Sequence, residues 1–149
     1  MAALRTRGFT LFEILVVLVL VGIMIGLVAP RLSRDVGVSA QHEGLRLMAL
    51  LKAARIQAIV TGHAYRVDFQ AHGYDFLRLD DSGHFVPARG ALLRPRKLPV
   101  GAALKDLGRQ SQVVFSSSGL SHAFRIEVVT TRSHFLLKGD GNGNIKGAR

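Results

Sequence analysis

Between Phe9 and Ala29 the chain runs FTLFEILVVLVLVGIMIGLVA, and Glu13 is the sole ionisable side chain in it. As a helix this stretch is about 30 Å long, roughly the thickness of a bilayer's hydrocarbon core. Leu, Ile, Val and Met fall on every side of the helical wheel, so a helix lying along an interface on one apolar face is a poor description. A rod buried in a soluble core is also disfavoured, because a chain of 149 residues has too little other material to wrap it. A cleavable secretory signal fits the preceding Arg5 and Arg7. However, the run is long for such a signal and continues as Ala29, Pro30, Arg31 without a clear small-x-small site. The expectation is a transmembrane helix, or one packed among other helices, with the flanking basic residues favouring a cytoplasmic amino terminus.

Glu13 is costly in such a setting, since a lone carboxylate in hydrocarbon pairs or stays protonated. Reaching back to the interface near the helix start is one outcome. Another follows from the string Arg7, Gly8, Phe9, Thr10, Leu11, Phe12, Glu13. Cleavage after Gly8 leaves a free amine on Phe9 within one helical turn of the carboxylate. Paired with the new terminus of a neighbouring subunit, Glu13 would neutralise two charges in one contact and set the axial register between helices. Gly22, Gly26 and Pro30 recur at four-residue spacing. The glycines either open one face to close helix contact or are simply tolerated, and Pro30 is placed to kink or break the helix.

Residues Gly8 to Glu13 closely resemble the signature of the type IV pilin and type II secretion pseudopilin superfamily: a short basic leader ending in Gly, then Phe, Thr, Leu, an apolar residue and Glu, then a hydrophobic helix. The resemblance implies that a membrane aspartic peptidase, prepilin peptidase, cuts between Gly8 and Phe9 on the cytoplasmic side. It also implies that the Phe9 amine is N-methylated and that Glu13 guides insertion into a helical filament. In that family the hydrophobic helix is a temporary inner-membrane anchor and then the filament core.

Composition separates the remainder. Of twenty Lys and Arg and ten Asp and Glu, only Arg5, Arg7 and Glu13 precede residue 31, so residues 31–149 hold +9 of the +10 net charge. Such a surface attracts anionic lipid, nucleic acid or an acidic protein without selecting among them. The absence of cysteine excludes disulfides, thiolate metal sites and cysteine nucleophiles. From Ser39 to about Thr61 the chain is rich in Ala, Leu, Met, Gln, Arg and Lys and free of proline, which predicts a helix. Its apolar stripe is read as Leu45, Met48, Ala49, Ile56 and Ile59, widened by Leu47, Leu50, Leu51, Ala54 and Ala58, with Gly62 as the C-cap. The period then shortens, predicting strands at 64–69, 74–79, 112–116, 124–129 and 133–138, with 89–108 a loop holding short strands. A helix followed by a small antiparallel sheet is the economical α+β architecture.

Further strings extend the resemblance to the minor pseudopilins of type II secretion, the protein H or GspH/FimT-like family: Gly73 through Asp80, then Leu92, Arg94, Pro95, Lys97, Leu98 and Pro99, then Val114, Phe115 and Ser116 before Ser118 and Gly119. Ser118 stands where the family often has proline. Four segments are implied: a leader over 1–8, a hydrophobic transmembrane or assembly helix over 9–30, an amphipathic helical continuation over 31–62, and a periplasmic antiparallel β domain over 63–149. The implied role is a place at or near the tip of a periplasmic pseudopilus that drives folded proteins across the outer membrane. The alternative is a FimT/FimU-like minor pilin for type IV pilus assembly or DNA uptake. Implied partners are other minor and major pseudopilins, prepilin peptidase and the inner-membrane assembly platform, with the secreted protein and DNA as further candidates. No cofactor is implied. The implied location is the inner membrane, single-pass with a periplasmic carboxyl-terminal domain, before assembly into the pseudopilus.

No catalytic set stands out. The six histidines lack metal-ligand spacing, and Ser116, Ser117, Ser118 and Gly119 lack a GxSxG elbow. Gly139 to Asn144 faintly echoes a calcium loop but reads better as a tight hairpin turn. Arg89, Arg94, Arg96, Lys97, Lys105 and Arg109 form a loose basic run. Arg94, Arg96 and Lys97 are its candidate contacts to an anionic partner, and a solvated surface is the plainer reading.

Overall fold

The computed structural model describes residues 11–32, 39–106 and 111–148, without the side chains of residues 24–32 and residue 106. Two compact units divide the chain, Met1–Gly37 and Val38–Arg149. In the first, α1 spans Leu11–Leu32, 22 residues, and continues through Pro30. The expected long amino-terminal transmembrane helix is corrected here: among the described residues, no helix is long and apolar enough to cross a membrane. The single-pass inner-membrane location, which rested on that helix, falls with it. The α+β class stands.

The second unit is built on α2, Ala40–Thr61. Ser39 precedes it in extended conformation without a side-chain cap. The Ala40 N–H instead donates to the Ser133 hydroxyl at 3.2 Å, so the orphan donor at this helix end is satisfied by a distant turn. At the other end Gly62 adopts φ 70°, a left-handed C-cap that residues with a Cβ resist.

Among the described residues nine strands follow: β1 Tyr65–Gln70, β2 Gly73–Leu79, β3 Phe85–Pro87, β4 Arg96–Lys97, β5 Ala102–Asp106, β6 Gln112–Phe115, β7 Phe124–Thr130, β8 His134–Gly139 and β9 Ile145–Ala148. They form two antiparallel sheets instead of the single one expected. The first has order β3-β2-β1-β6 with β4 also on β2, and the second has order β5-β7-β8-β9. The five strands predicted from alternation lie within about two residues of their predicted ends. β3 and β9 are not anticipated, because strands of three and four residues are too short to display a period.

Both sheets close on α2, which packs against β7, β8 and β9 of one and β1 and β6 of the other. Its buried face is Ala40, Glu43, Gly44, Leu47, Leu50, Leu51, Ala54 and Ala58. The stripe expected from the wheel is therefore corrected: Leu45, Ala49, Ile56 and Ile59 are exposed and Met48 is only partly buried, while the residues read as widening it form the core. The sheets bring the bulk, Phe76, Phe115, Phe124, Phe135 and Leu137, so the helix must offer small residues where they press. Hydrophobicity alone does not separate two apolar faces.

Gly44 makes this concrete. A Cβ there would run into the Phe135 ring, and so would one at Gly147 on β9, so glycines on a helix and a strand form the socket for one phenyl group. Replacing Gly44 with Ala must displace Phe135 from a packed core, at a cost of about 1–3 kcal/mol. Chemical denaturation should show this loss. Combined with Phe135→Leu it should be smaller than the sum of the two single effects.

Candidate assembly site and basic surfaces

Glu13 lies in the first turn of α1, where the partial positive charge of a helix amino terminus favours a carboxylate. The turn presents Leu11 and Phe12 to solvent, at 85% and 74% exposure, and apolar side chains continue exposed along residues 14–21. Nothing lies within 4 Å of the position a Cβ would take at Gly22, so a neighbouring helix would meet no side chain there. Gly26 and Pro30 belong to α1 by backbone. Gly8 and Phe9 lie outside the described residues.

The basic trio is not brought together as one patch. Arg94 and Lys97 are exposed, whereas Arg96 is half-buried. Arg96 and Lys97 are successive residues of β4, so their side chains leave opposite faces of the sheet. The Arg96 backbone pairs with Tyr74 of β2, in a register that sets Lys97 opposite Gly73. A Cβ at Gly73 would come within 2.6 Å of the Arg96 carbonyl oxygen. Beneath it the Tyr74 hydroxyl is pushed above its ordinary value of 10.0, chiefly by burial, with Arg46 and Arg96 pulling the other way.

A different set of cations does converge. Arg55 of α2 donates from Nε to the Gly119 carbonyl at 2.9 Å and from Nη2 to the Asn142 carbonyl at 3.2 Å. One guanidinium thus ties the turns before β7 and before β9 to the helix. A Cβ at Gly143 would collide with the Gly119 carbonyl and the Arg55 guanidinium, and Gly143 has φ 76°. Beside it a cavity of about 380 Å3 is lined by Lys52, Arg55, Ile56, Gly143, Asn144, Ile145 and Lys146. Sequence reasoning missed this site. Its only advance sign was the three-residue spacing of Lys52 and Arg55, since Lys146 arrives through a hairpin.

Comparison with known proteins decides the family. The profile described as Type II transport protein GspH matches residues 43–143, more than half of the chain. The chain belongs to the GspH family. A second profile, the prokaryotic N-terminal methylation motif, matches residues 4–29. Among solved structures, the minor pseudopilin EpsH from the type 2 secretion system of Vibrio cholerae is similar, with TM-score 0.65 and 18% identity over 74% of this chain and 96% of that one. A second EpsH structure gives TM-score 0.62 and 15% identity over 72% and 92%. The type IV minor pilin FimU of Pseudomonas aeruginosa gives TM-score 0.59 and 17% identity over 74% and 88%. No curated protein sequence matches at a significant level. The fold is thus that of minor pseudopilins and minor pilins, and the role is non-enzymatic, as a structural family implies.

The GspH match opens on Glu43 and closes on Gly143, and both ends carry structure. Glu43 is buried, only 7% exposed, in the first turn of α2, with Arg46 at 3.6 Å, a placement that helix polarity favours. At the other end Gly139 to Asn144 forms the β8–β9 hairpin. The Asp140 Oδ1 accepts the backbone N–H groups of Asn142 and Asn144 at 2.9 and 2.8 Å, and Oδ2 accepts from the Asn144 side-chain amide at 3.0 Å. The carboxylate is therefore committed to the turn, and among the described residues no cluster of acids and histidines is grouped to hold a metal ion.

These bonds hold the Asp140 carboxyl below its ordinary value of 3.8, the Asn144 amide contributing most. A depressed folded value means that its stabilisation is present above the unfolded value and lost as pH falls through the folded one. The difference in thermal midpoint between the wild type and Asp140→Ala should be full at neutral pH and should shrink on acidification below 3.8. A difference unchanged at pH 2 would reject the carboxylate as its source.

Proposed function

We propose that this chain is a minor pseudopilin of a type II secretion system, incorporated at or near the tip of the pseudopilus that drives folded proteins across the outer membrane. One observation carries this reading: a methylation-motif match over residues 4–29 and a GspH match over residues 43–143 follow one another in a single chain. The likeness to EpsH and FimU supports the fold common to secretion and pilus subunits, and the GspH profile favours secretion over the pilus reading.

In this reading residues 1–8 are a leader, 9–30 the assembly helix and 63–149 the β domain, with α2 a separate helix that begins after the extended Ser39. Prepilin peptidase cuts between Gly8 and Phe9, and the new Phe9 amine is methylated. A side chain at position 8 would crowd the peptidase cleft. The Glu13 carboxylate, one turn along, pairs with the amine of an adjacent subunit's terminus and sets axial register. Gly22 and Gly26 let neighbouring helices approach. The chain contributes contact surface, and the work of assembly comes from an ATPase elsewhere. Its partners are the other pseudopilins, the peptidase and the assembly platform.

Mass spectrometry of the native protein should find a mature terminus at methylated Phe9. An intact leader in cells with active prepilin peptidase would sink the reading. Replacing Glu13 with Ala removes one partner of a charge pair in apolar surroundings, which costs on the order of 3 kcal/mol. Leader removal should persist while recovery in sheared pseudopili falls at least about tenfold. Wild-type recovery would reject the register role.

A further inference from the structure

The cavity between α2 and the β8–β9 hairpin has a chemistry that the assembly role above leaves unused. Lys52, Arg55 and Lys146 line it, and among the described residues no carboxylate does. Asp140, the acid close enough to feel Lys146, has both oxygens engaged by the turn. Arg55 is not a floppy surface cation: its Nε and one Nη2 proton are spent on two loop carbonyls, so the guanidinium is fixed and its remaining N–H donors are available in one orientation. Preorganisation of this kind lowers the entropy lost on binding.

The surroundings narrow the ligand. Ile56 lies on the cavity wall, and Ile56, Ile59, Val60 and Leu120 are exposed at 47–73%. Ile59 belongs to the same patch as Arg55, since a Cβ at Gly119 would meet both the Ile59 side chain and the Arg55 guanidinium. A fixed guanidinium beside an exposed aliphatic rim suits a protein interface, where Arg is enriched and apolar patches are covered. A nucleic-acid backbone would satisfy the cations and leave the aliphatic rim wet.

We propose that this cavity docks an acidic segment of a neighbouring subunit in the assembled filament. An Asp or Glu carboxylate enters among Lys52, Arg55 and Lys146, and an adjacent aliphatic side chain lies on Ile56 and Ile59. The inference rests on the assembly reading above. Complementary charge fixes which neighbour sits here and in what register, a separate contact from the one given to Glu13.

The test uses full-length protein in filaments sheared from producing cells and treated with a carbodiimide, which joins a lysine amine to a carboxylate in contact with it. Tandem mass spectrometry should find Lys52 or Lys146 in amide linkage to an Asp or Glu of another subunit. The Lys52→Arg, Lys146→Arg double variant keeps the charge and should remain in the filament but lose the linkage. The Lys52→Glu, Lys146→Glu variant alters only exposed side chains, so its melting temperature should stay near wild type while its recovery in filaments falls about tenfold. Filaments that contain the chain but no such linkage, a linkage only to its own Asp140, cross-linking of these lysines to nucleic acid, or undiminished recovery of the charge-reversed variant would each overturn the docking site alone. Absence of the wild-type chain from the filaments would overturn the assembly reading and the docking site with it.

Discussion

The second unit depends on one steric constraint: two sheets carrying large aromatic side chains must close on a single helix. Leu47, Leu50 and Leu51 supply the apolar bulk of α2, and Ala40, Gly44, Ala54 and Ala58 supply the room. Fully burying a Leu or Phe side chain stabilises by about 1.5–3 kcal/mol, but only if the facing backbone comes close enough to leave no void. Phe135 marks the limit, because its ring occupies space that a methyl group at Gly44 or Gly147 would take. Gly139 repeats the device on β8, where a Cβ would strike the Phe124 ring.

That constraint also decides what the helix leaves outside. The sheets close on the face that carries Ala40, Gly44, Ala54 and Ala58, so Leu45, Ile56, Ile59 and Val60 on the rest of the helix remain in solvent together with Lys52. An outer face both apolar and basic is costly for an isolated monomer and suited to a subunit that works among neighbours. Within α1, likewise, apolar side chains stand exposed beside a carboxylate in the first turn. The GspH fold is here a scaffold for contacts, which agrees with the non-enzymatic role of the family.

Much of this was legible before any coordinates. Period-two alternation marked β1, β2, β6, β7 and β8, where buried side chains recur two residues apart, as Tyr65 and Val67, Tyr74 and Phe76, Val113 and Phe115, Ile126 and Val128, and Phe135 and Leu137 do. Gly62 marked the end of α2, since a left-handed cap needs a residue without Cβ. The motif from Gly8 to Glu13 pointed to the superfamily by chemistry that depends on sequence order alone. What failed was non-local. Which face of α2 is buried depends on where the sheets place Phe115, Phe124 and Phe135, and both faces of that helix are apolar. Short strands such as β3 and β4 exist because β2 offers an edge to pair with. The trio Arg94, Arg96 and Lys97 looked continuous in the chain, and strand geometry divided it.

Arg55 shows why the cationic cavity could not be read from the chain. In the sequence it is one of several basic residues scattered around a helical wheel. In the fold, its guanidinium spans the Gly119 and Asn142 carbonyls, on turns 64 and 87 residues away. A lysine could not make that pair of directed bonds while keeping donors for a ligand, because its ammonium is a single point on a flexible stem. The same side chain therefore holds two loops and presents charge. Its removal would loosen the hairpin that brings Lys146 into place as well as subtract a charge, so loss of binding at Arg55 alone cannot distinguish a contact from a scaffold. Lys52 and Lys146 are exposed and carry none of the turn's hydrogen bonds, and so it is through them that the electrostatic role of the cavity separates from its architecture.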